Sequence, residues 1–297
     1  MTAVTDRGEP SLTLGYIGIL LAVAIWAGWI VSTRDSVLME HTPFDIAVVR
    51  YVAPALLLSP YWIRKGVFPK GESPLLLVIM TVGWGGPFVM LIAQGMKTVE
   101  ASLFGPLVPG LLPMVVAVWG VAVEGERLRP GRLLGLCFIA MAVALILGPA
   151  LAGADNGVLI GAPWLLLACI GWSSFTIAFR HTGLSGAESA AYVCLYSSPF
   201  LIAAAMVFGT DLFDYPPIEV GYLILVQGVL SGALSVACFG YAVKTLGLGR
   251  ASAFTSLVPV LAAIGGWLML GETVGLAGWA ASAAACIGVL LVNRYAV

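Results

Sequence analysis

One ionised side chain, Arg50, falls well inside a long apolar run, seven residues after Pro43. At 1.5 Å per residue that is about 10 Å into a helix. A guanidinium at such depth is costly and marks a functional position by default, and its planar fork suits a carboxylate. Snorkelling or satisfying backbone carbonyls is the other use open to it. Flat rings stand at helical spacing in other apolar runs. Trp26 and Trp29 are three apart, as are Trp172 and Phe175, so each pair shares one helix face. Trp84 lies in Gly83-Trp84-Gly85-Gly86, where the glycines remove bulk beside the ring, and Phe104 neighbours Pro106. If the first run is centred near residue 23, Trp26 lies about 4–5 Å from its middle, away from the headgroup belt where membrane aromatics gather. Such rings can stack an aromatic or bulky apolar solute. Ordinary helix packing is the alternative for any one of them.

Among the prolines within the runs, Pro106, Pro109 and Pro113 fall in one and Pro259 in its counterpart in the second half. A proline inside a helix removes one backbone bond and clashes with the carbonyl four residues back. Here that frees the carbonyls of Ser102, Gly105, Pro109 and Thr255. Irregular backbone at membrane depth is tolerated only against protein or a water-filled cavity. The pattern predicts two bent helices lining a path, with hinges at Pro106, Pro109 and Pro259. Hydroxyls nearby would come from Ser102, Ser252 and Thr255.

Other chemistry is missing from the sequence. No Asp, Glu or His is placed mid-run, and no HExxH, Walker motif or nucleophile–base pair occurs. The acid pair Asp211 and Asp214 reads as a solvated turn before Pro216-Pro217. Glu126 and Glu272 lie at helix ends, where the following helix dipoles favour them. The histidines, His41 and His181, fall in loops. Cys137, Cys169, Cys194, Cys238 and Cys286 are scattered through apolar runs with no disulfide or metal spacing. Neither catalysis, a cofactor nor a metal is expected.

The elements that must position these residues follow from composition. Hydrophobic residues make up 60% of the 297 and charged residues 10%, against roughly 45–50% and 25% in soluble domains. With a net charge of −1 and no basic cluster, a nucleic-acid partner is excluded; the lipid bilayer is the partner. A hydrocarbon core of roughly 30 Å needs about 20 apolar helical residues. Ten such runs are predicted, over 12–33, 43–62, 74–95, 99–120, 131–149, 158–180, 188–208, 219–243, 251–270 and 276–293. Loops on the N-terminal side carry eleven Lys and Arg, and the opposite side carries only Arg34 and Lys97. That asymmetry places both termini in the cytoplasm.

The second half repeats the first. Gly15, Trp26, Trp29 and Arg34 match Gly161, Trp172, Phe175 and Arg180 at an offset of 146, as Gly125-Glu126 matches Gly271-Glu272. Tyr51 and Pro54 match Tyr196 and Pro199 at 145, and Ala101-Ser102 with Leu107-Val108-Pro109 match Ala251-Ser252 with Leu257-Val258-Pro259 at 150. The expected fold class is an all-α polytopic membrane protein of two five-helix repeats, residues 1–150 and 151–297. Five spans is an odd number, so the halves run in opposite senses. Inverted repeats belong to secondary transporters, with the solute site near the midplane.

Two five-helix halves, Leu-Val-Pro in spans four and nine, and Gly-Glu at the ends of both resemble the EamA type of the drug/metabolite transporter superfamily. Arg50 sits where that family often carries an arginine. Length and tryptophan-rich spans are most similar to its YddG-type exporters of aromatic amino acids. The resemblance implies an inner-membrane exporter of amino acids, aromatic or apolar ones preferred, or of similar small metabolites; with no titratable acid or histidine mid-run, downhill movement by alternating access is expected. Trp26, Trp84, Ser102, Phe104, Trp172, Phe175, Ser252 and Thr255 are the expected cargo contacts, and Arg50 the expected carboxylate contact. A drug, an organic acid or a nucleotide sugar is the alternative cargo, and an intramembrane enzyme or a scaffold the alternative class. No oligomeric state follows from the sequence; a monomer is compatible with the mechanism.

Overall fold

The computed structural model describes residues 11–295, the side chains of Leu248 and Ser252 excepted. Ten helical spans follow one another: α1 (Leu12–Leu38), α2 (Pro43–Leu57 with Ser59–Lys65), α3 (Pro74–Gly95), α4 (Ala101–Ala122), α5 (Pro130–Leu151), α6 (Asn156–Arg180), α7 (Gly186–Phe208), α8 (Pro217–Leu246), α9 (Gly249–Leu270) and α10 (Leu276–Arg294). No strand occurs among the described residues. Local sequence starts the helices. The Thr42 hydroxyl caps the Asp45 N–H ahead of Pro43 in α2, and Ser185 with Glu188 forms a reciprocal capping box on α7, both satisfying otherwise orphan donors. The span expected over 43–62 is bent, by 59° after Leu57. Pro60 accounts for it, since it cannot donate to the Leu56 carbonyl.

Small residues let backbones cross closely, as in other membrane bundles. A Cβ at Gly83 of α3 would lie 2.4 Å from the Gly171 carbonyl oxygen of α6. The counterpart crossing is α1 on α8, where a Cβ at Gly18 would meet the Cys238 carbonyl at 3.1 Å. Between α5 and α10, Gly135 and Gly288 play the same part.

Four further spans are irregular. α3 breaks at Gly85, which is extended (φ −93°, ψ −150°), and whose Cβ would fall 2.1 Å from the Thr81 carbonyl oxygen. α4 loses its helix over 108–111 and α9 over 256–257, beside Pro109 and Pro259. α8 is π-helical over Ile224–Leu234. At the centre of the bundle α4 crosses α9 so tightly that a Cβ at Gly105 would stand 2.5 Å from Pro259 Cα. One carbonyl expected to be free is not: Gly105 O accepts from Gly110 N at 2.9 Å. The turn at 108–111 folds back and supplies the donor that Pro109 lacks.

Candidate functional site

Where α1, α2, α3 and α8 meet, an arginine stands among three rings. Arg50 is 5% exposed, with its Cζ 5.4 Å from the Trp29 ring and 6.0 Å from the rings of Tyr51 and Trp84. Cations over aromatic faces at this range are attracted by the ring quadrupole. One arm of the fork is anchored: Nη1 donates to the Gln227 carbonyl at 3.1 Å. Its Nε is buried and has no partner among the described residues. A buried donor left unmade is expensive, and a carboxylate at that edge would satisfy it.

The surrounding backbone explains the position. Gly228 and Gly232 of α8 leave room for α2; a Cβ at Gly232 would strike Pro54 at 2.3 Å and reach Arg50 Nη1 at 3.0 Å. The π-helical stretch turns Gln227 toward α1, a common use of such segments at functional sites. Its Oε1 accepts from the Trp29 indole at 2.7 Å and its Nε2 donates to Thr33 Oγ1 at 3.1 Å. The glycine break in α3 leaves the Trp84 carbonyl to accept from Tyr51 OH at 2.6 Å.

The expected aromatic contacts divide into two groups. In one group, Trp26 donates to Ser235 Oγ at 3.1 Å and tilts against Phe239 at 5.3 Å. In the other, Trp84 stacks on Phe175 at 5.1 Å, and Trp172 stands edge-on to Phe88 at 5.7 Å. Trp26, Trp84, Trp172 and Phe175 are all half-buried. Ser102 and Phe104 do not join an accessible surface. Ser102 is 0% exposed and donates to Glu100, while Phe104 is 1% exposed and edge-on to Trp29. The close approach of α4 to α9 encloses both. Thr255 is half-buried on α9, and Ser252 lies outside the described side chains.

One further expectation is corrected, and two polar groups near the α7–α8 connection prove buried. Glu272 does not serve the helix that follows it; its carboxylate accepts from Ala101 N at 3.0 Å and Ser102 N at 3.3 Å, at the start of α4. Asp45 is a buried carboxylate in the first turn of α2, bonded to Thr42, Thr210 and Tyr215. Burial pushes the Tyr215 phenol up to about 12, so it remains a donor to that carboxylate. His41 is buried, its ring edge-on to Tyr215 at 4.4 Å and its Nε2 3.3 Å from Glu219. The tertiary fold closes the α7–α8 connection over it.

Gln227 is the residue that sequence reading passed over, because its GxxxG setting signals packing and nothing in the local pattern reports a π-helical turn. Replacing Gln227 with Leu should destabilise the fold by about 1–3 kcal/mol, since the Trp29 indole loses its acceptor. Thermal unfolding in detergent measures this, and an unchanged midpoint would remove Gln227 from the cluster's support.

A cavity of about 730 Å³ lies elsewhere, between α3 and α7. It is lined almost wholly by apolar side chains such as Phe44, Phe68, Val82, Met90 and Phe200.

Comparison with known proteins places this architecture. A solved crystal structure matches with a TM-score of 0.60 at 18% identity, covering 95% of this chain and 98% of that one; the likeness is one of fold. A probable terminal-alkyne amino-acid exporter of Streptantibioticus cattleyicolor is 24% identical over 93% of this chain and 92% of its own. YedA, an uncharacterized inner membrane transporter of Escherichia coli, is 25% identical over 84% and 81%. A chloroplastic WAT1-related protein of Arabidopsis thaliana is 24% identical over 90% of this chain, which spans 66% of the plant protein's length. The model of the EamA-like transporter family matches twice, over residues 13–148 and 159–294. With both five-span halves matched in turn, the chain belongs to the EamA-like transporter family.

Proposed function

We propose that this transporter exports amino acids, preferring aromatic and apolar side chains, and that Arg50 receives the cargo carboxylate. The observation that carries the reading is the unpartnered Nε of a buried arginine at membrane depth, set among the rings of Trp29, Tyr51 and Trp84. A carboxylate would complete the guanidinium fork, and the indole and phenyl faces of Trp84, Phe175 and Trp26 would take the side chain. The amino-acid exporter among the relatives supports the same cargo class. A doubly anionic cargo would need more buried basic residues than Arg50, and a small cation would need a carboxylate beside the rings.

The protein works in this reading as two antiparallel modules, 1–150 and 151–297, in a bacterial-type inner membrane with both termini cytoplasmic. The modules rock about the breaks beside Pro109 and Pro259, with Pro106 in the helical turn just before the first, exposing the Arg50 site to each side in turn. Thr255 and Ser252 on α9 meet the cargo when α4 and α9 part, as do Ser102 and Phe104.

The test is transport in liposomes holding the purified protein, with a panel of labelled amino acids, an organic cation and a nucleotide sugar. Saturable movement of tryptophan and phenylalanine, with and without a pH gradient, is expected. Movement of the cation or nucleotide sugar with none of any amino acid would overturn the reading.

A further inference from the structure

The two ends of the bundle are not equivalent, and the repeat shows what the difference means. Both α4 and α9 end in the same device. Gly125 and Gly271 take positive φ (69° and 66°), and the next residue's N–H reaches back to Gly120 O at 2.9 Å and Gly266 O at 3.2 Å. This six-residue return is a helix-ending motif that calls for glycine. In both, the glutamate carboxylate folds over the earlier glycine. A Cβ at Gly120 would lie 2.6 Å from Glu126 Oε2, and one at Gly266 would lie 2.4 Å from Glu272 Oε2. Gly120, Glu126 and Arg34 each have a counterpart 146 positions on, in Gly266, Glu272 and Arg180.

The two carboxylates are engaged differently. On the face opposite the N-terminus, Arg34 Nε lies 3.3 Å from Glu272 Oε1, and its Nη1 donates to the Met96 carbonyl. The same carboxylate holds the first N–H groups of α4. One buried acid thus ties α1, α4 and α9 together. On the N-terminal face, Glu126 instead takes Arg132 of α5 at 2.9 Å, and Arg180 is exposed.

Packing differs in the same sense. Ala101–Leu107 lies against Val258–Leu270, whereas Leu248–Thr255 lies against α8, α10 and α1 rather than the end of α4. Trp29, Ile30, Val31 and Thr33 are buried, and their counterparts Phe175, Thr176, Ile177 and Phe179 are half-buried. Phe104 and Gly105 are buried, and Phe254 and Thr255 are half-buried.

We infer that Arg34–Glu272 and Arg180–Glu126 are alternating gate pairs, and that the structure shows the first closed and the second released. Closure of the N-terminal face brings Arg180 of α6 onto Glu126, whose carboxylate then receives the start of α9 as Glu272 receives the start of α4. Arg132 holds Glu126 in the meantime. Only one pair is made at a time, so each closure favours opening of the other face. The inference rests on the transporter reading, but its primary test does not.

The test places spin labels at Val123→Cys and Arg250→Cys, on exposed positions of the N-terminal face, in a full chain with its five native cysteines replaced. Arg34→Gln, which leaves the Glu272 cap on α4 intact, should move the distance distribution toward shorter values. Adding Arg180→Glu should restore the long distance. In liposomes, Arg180→Glu alone should slow transport roughly tenfold, because two carboxylates then meet on closure; adding Glu126→Arg should recover most of it. A solvated Arg180 with no gating role would leave both readings unchanged. A distribution that ignores Arg34→Gln and Arg180→Glu overturns the gates even where transport is intact. Distances that respond as described, with no cargo moved, uphold the gates and fail the transporter reading instead.

Discussion

Arg50→Lys is expected to reduce amino-acid export roughly 10- to 100-fold while leaving the protein folded in the membrane. The magnitude is that of one charge-assisted hydrogen-bond arrangement, about 1.5–3 kcal/mol, lost when a planar fork becomes a point charge. Folding survives because the Gln227 carbonyl keeps a second donor, Ser231 Oγ at 2.8 Å, and because the lysine retains the charge among the rings. A role confined to tying α2 onto α8 would leave export near the parental rate. Initial rates in liposomes, normalised to correctly inserted protein, make the comparison.

Gly105→Ala should destabilise the fold by about 1–3 kcal/mol, and Gly105→Val by more, since overpacking a close contact forces backbone to move. The added atom meets Pro259 Cα at 2.5 Å and Pro259 Cβ at 2.6 Å, which no rotamer change relieves. The same crossing joins the two broken helices, so export should fall further than stability alone accounts for. Gly240→Ala is the control: nothing lies within 4 Å of its added Cβ, and helix propensity there favours alanine by up to about 1 kcal/mol. Equal unfolding midpoints for the two alanine variants would show that α4 and α9 do not cross as described.

The spans were legible because hydropathy over about 20 residues and the bilayer thickness define each other, and the repeat was legible because Gly-Glu and Leu-Val-Pro recur in order. Proline positions announced the irregular stretches of α4 and α9. The break in α3 was not announced, since glycines in Gly83-Trp84-Gly85-Gly86 read equally well as room beside a ring and as a stop. The π-helical turn of α8 leaves no composition signal at all, so Gln227 looked like packing. Arg50 and the paired rings were visible as types and spacings. Their separation into two groups, with Ser102 and Phe104 enclosed, depends on how far one end of the bundle has closed. Glu272 shows the same limit: an acid near a helix end is local information, but its attachment to α4 across the bundle is tertiary.

The most direct measurement is equilibrium binding of tryptophan and of tryptamine, which lacks the carboxylate, to the purified protein and to Arg50→Lys. If Arg50 holds the cargo carboxylate, the parent protein binds tryptophan at least about tenfold more tightly than tryptamine, a difference of roughly 1.4 kcal/mol, and the variant loses that preference. A preference that persists undiminished in Arg50→Lys would contradict the assignment of Arg50 as the carboxylate site.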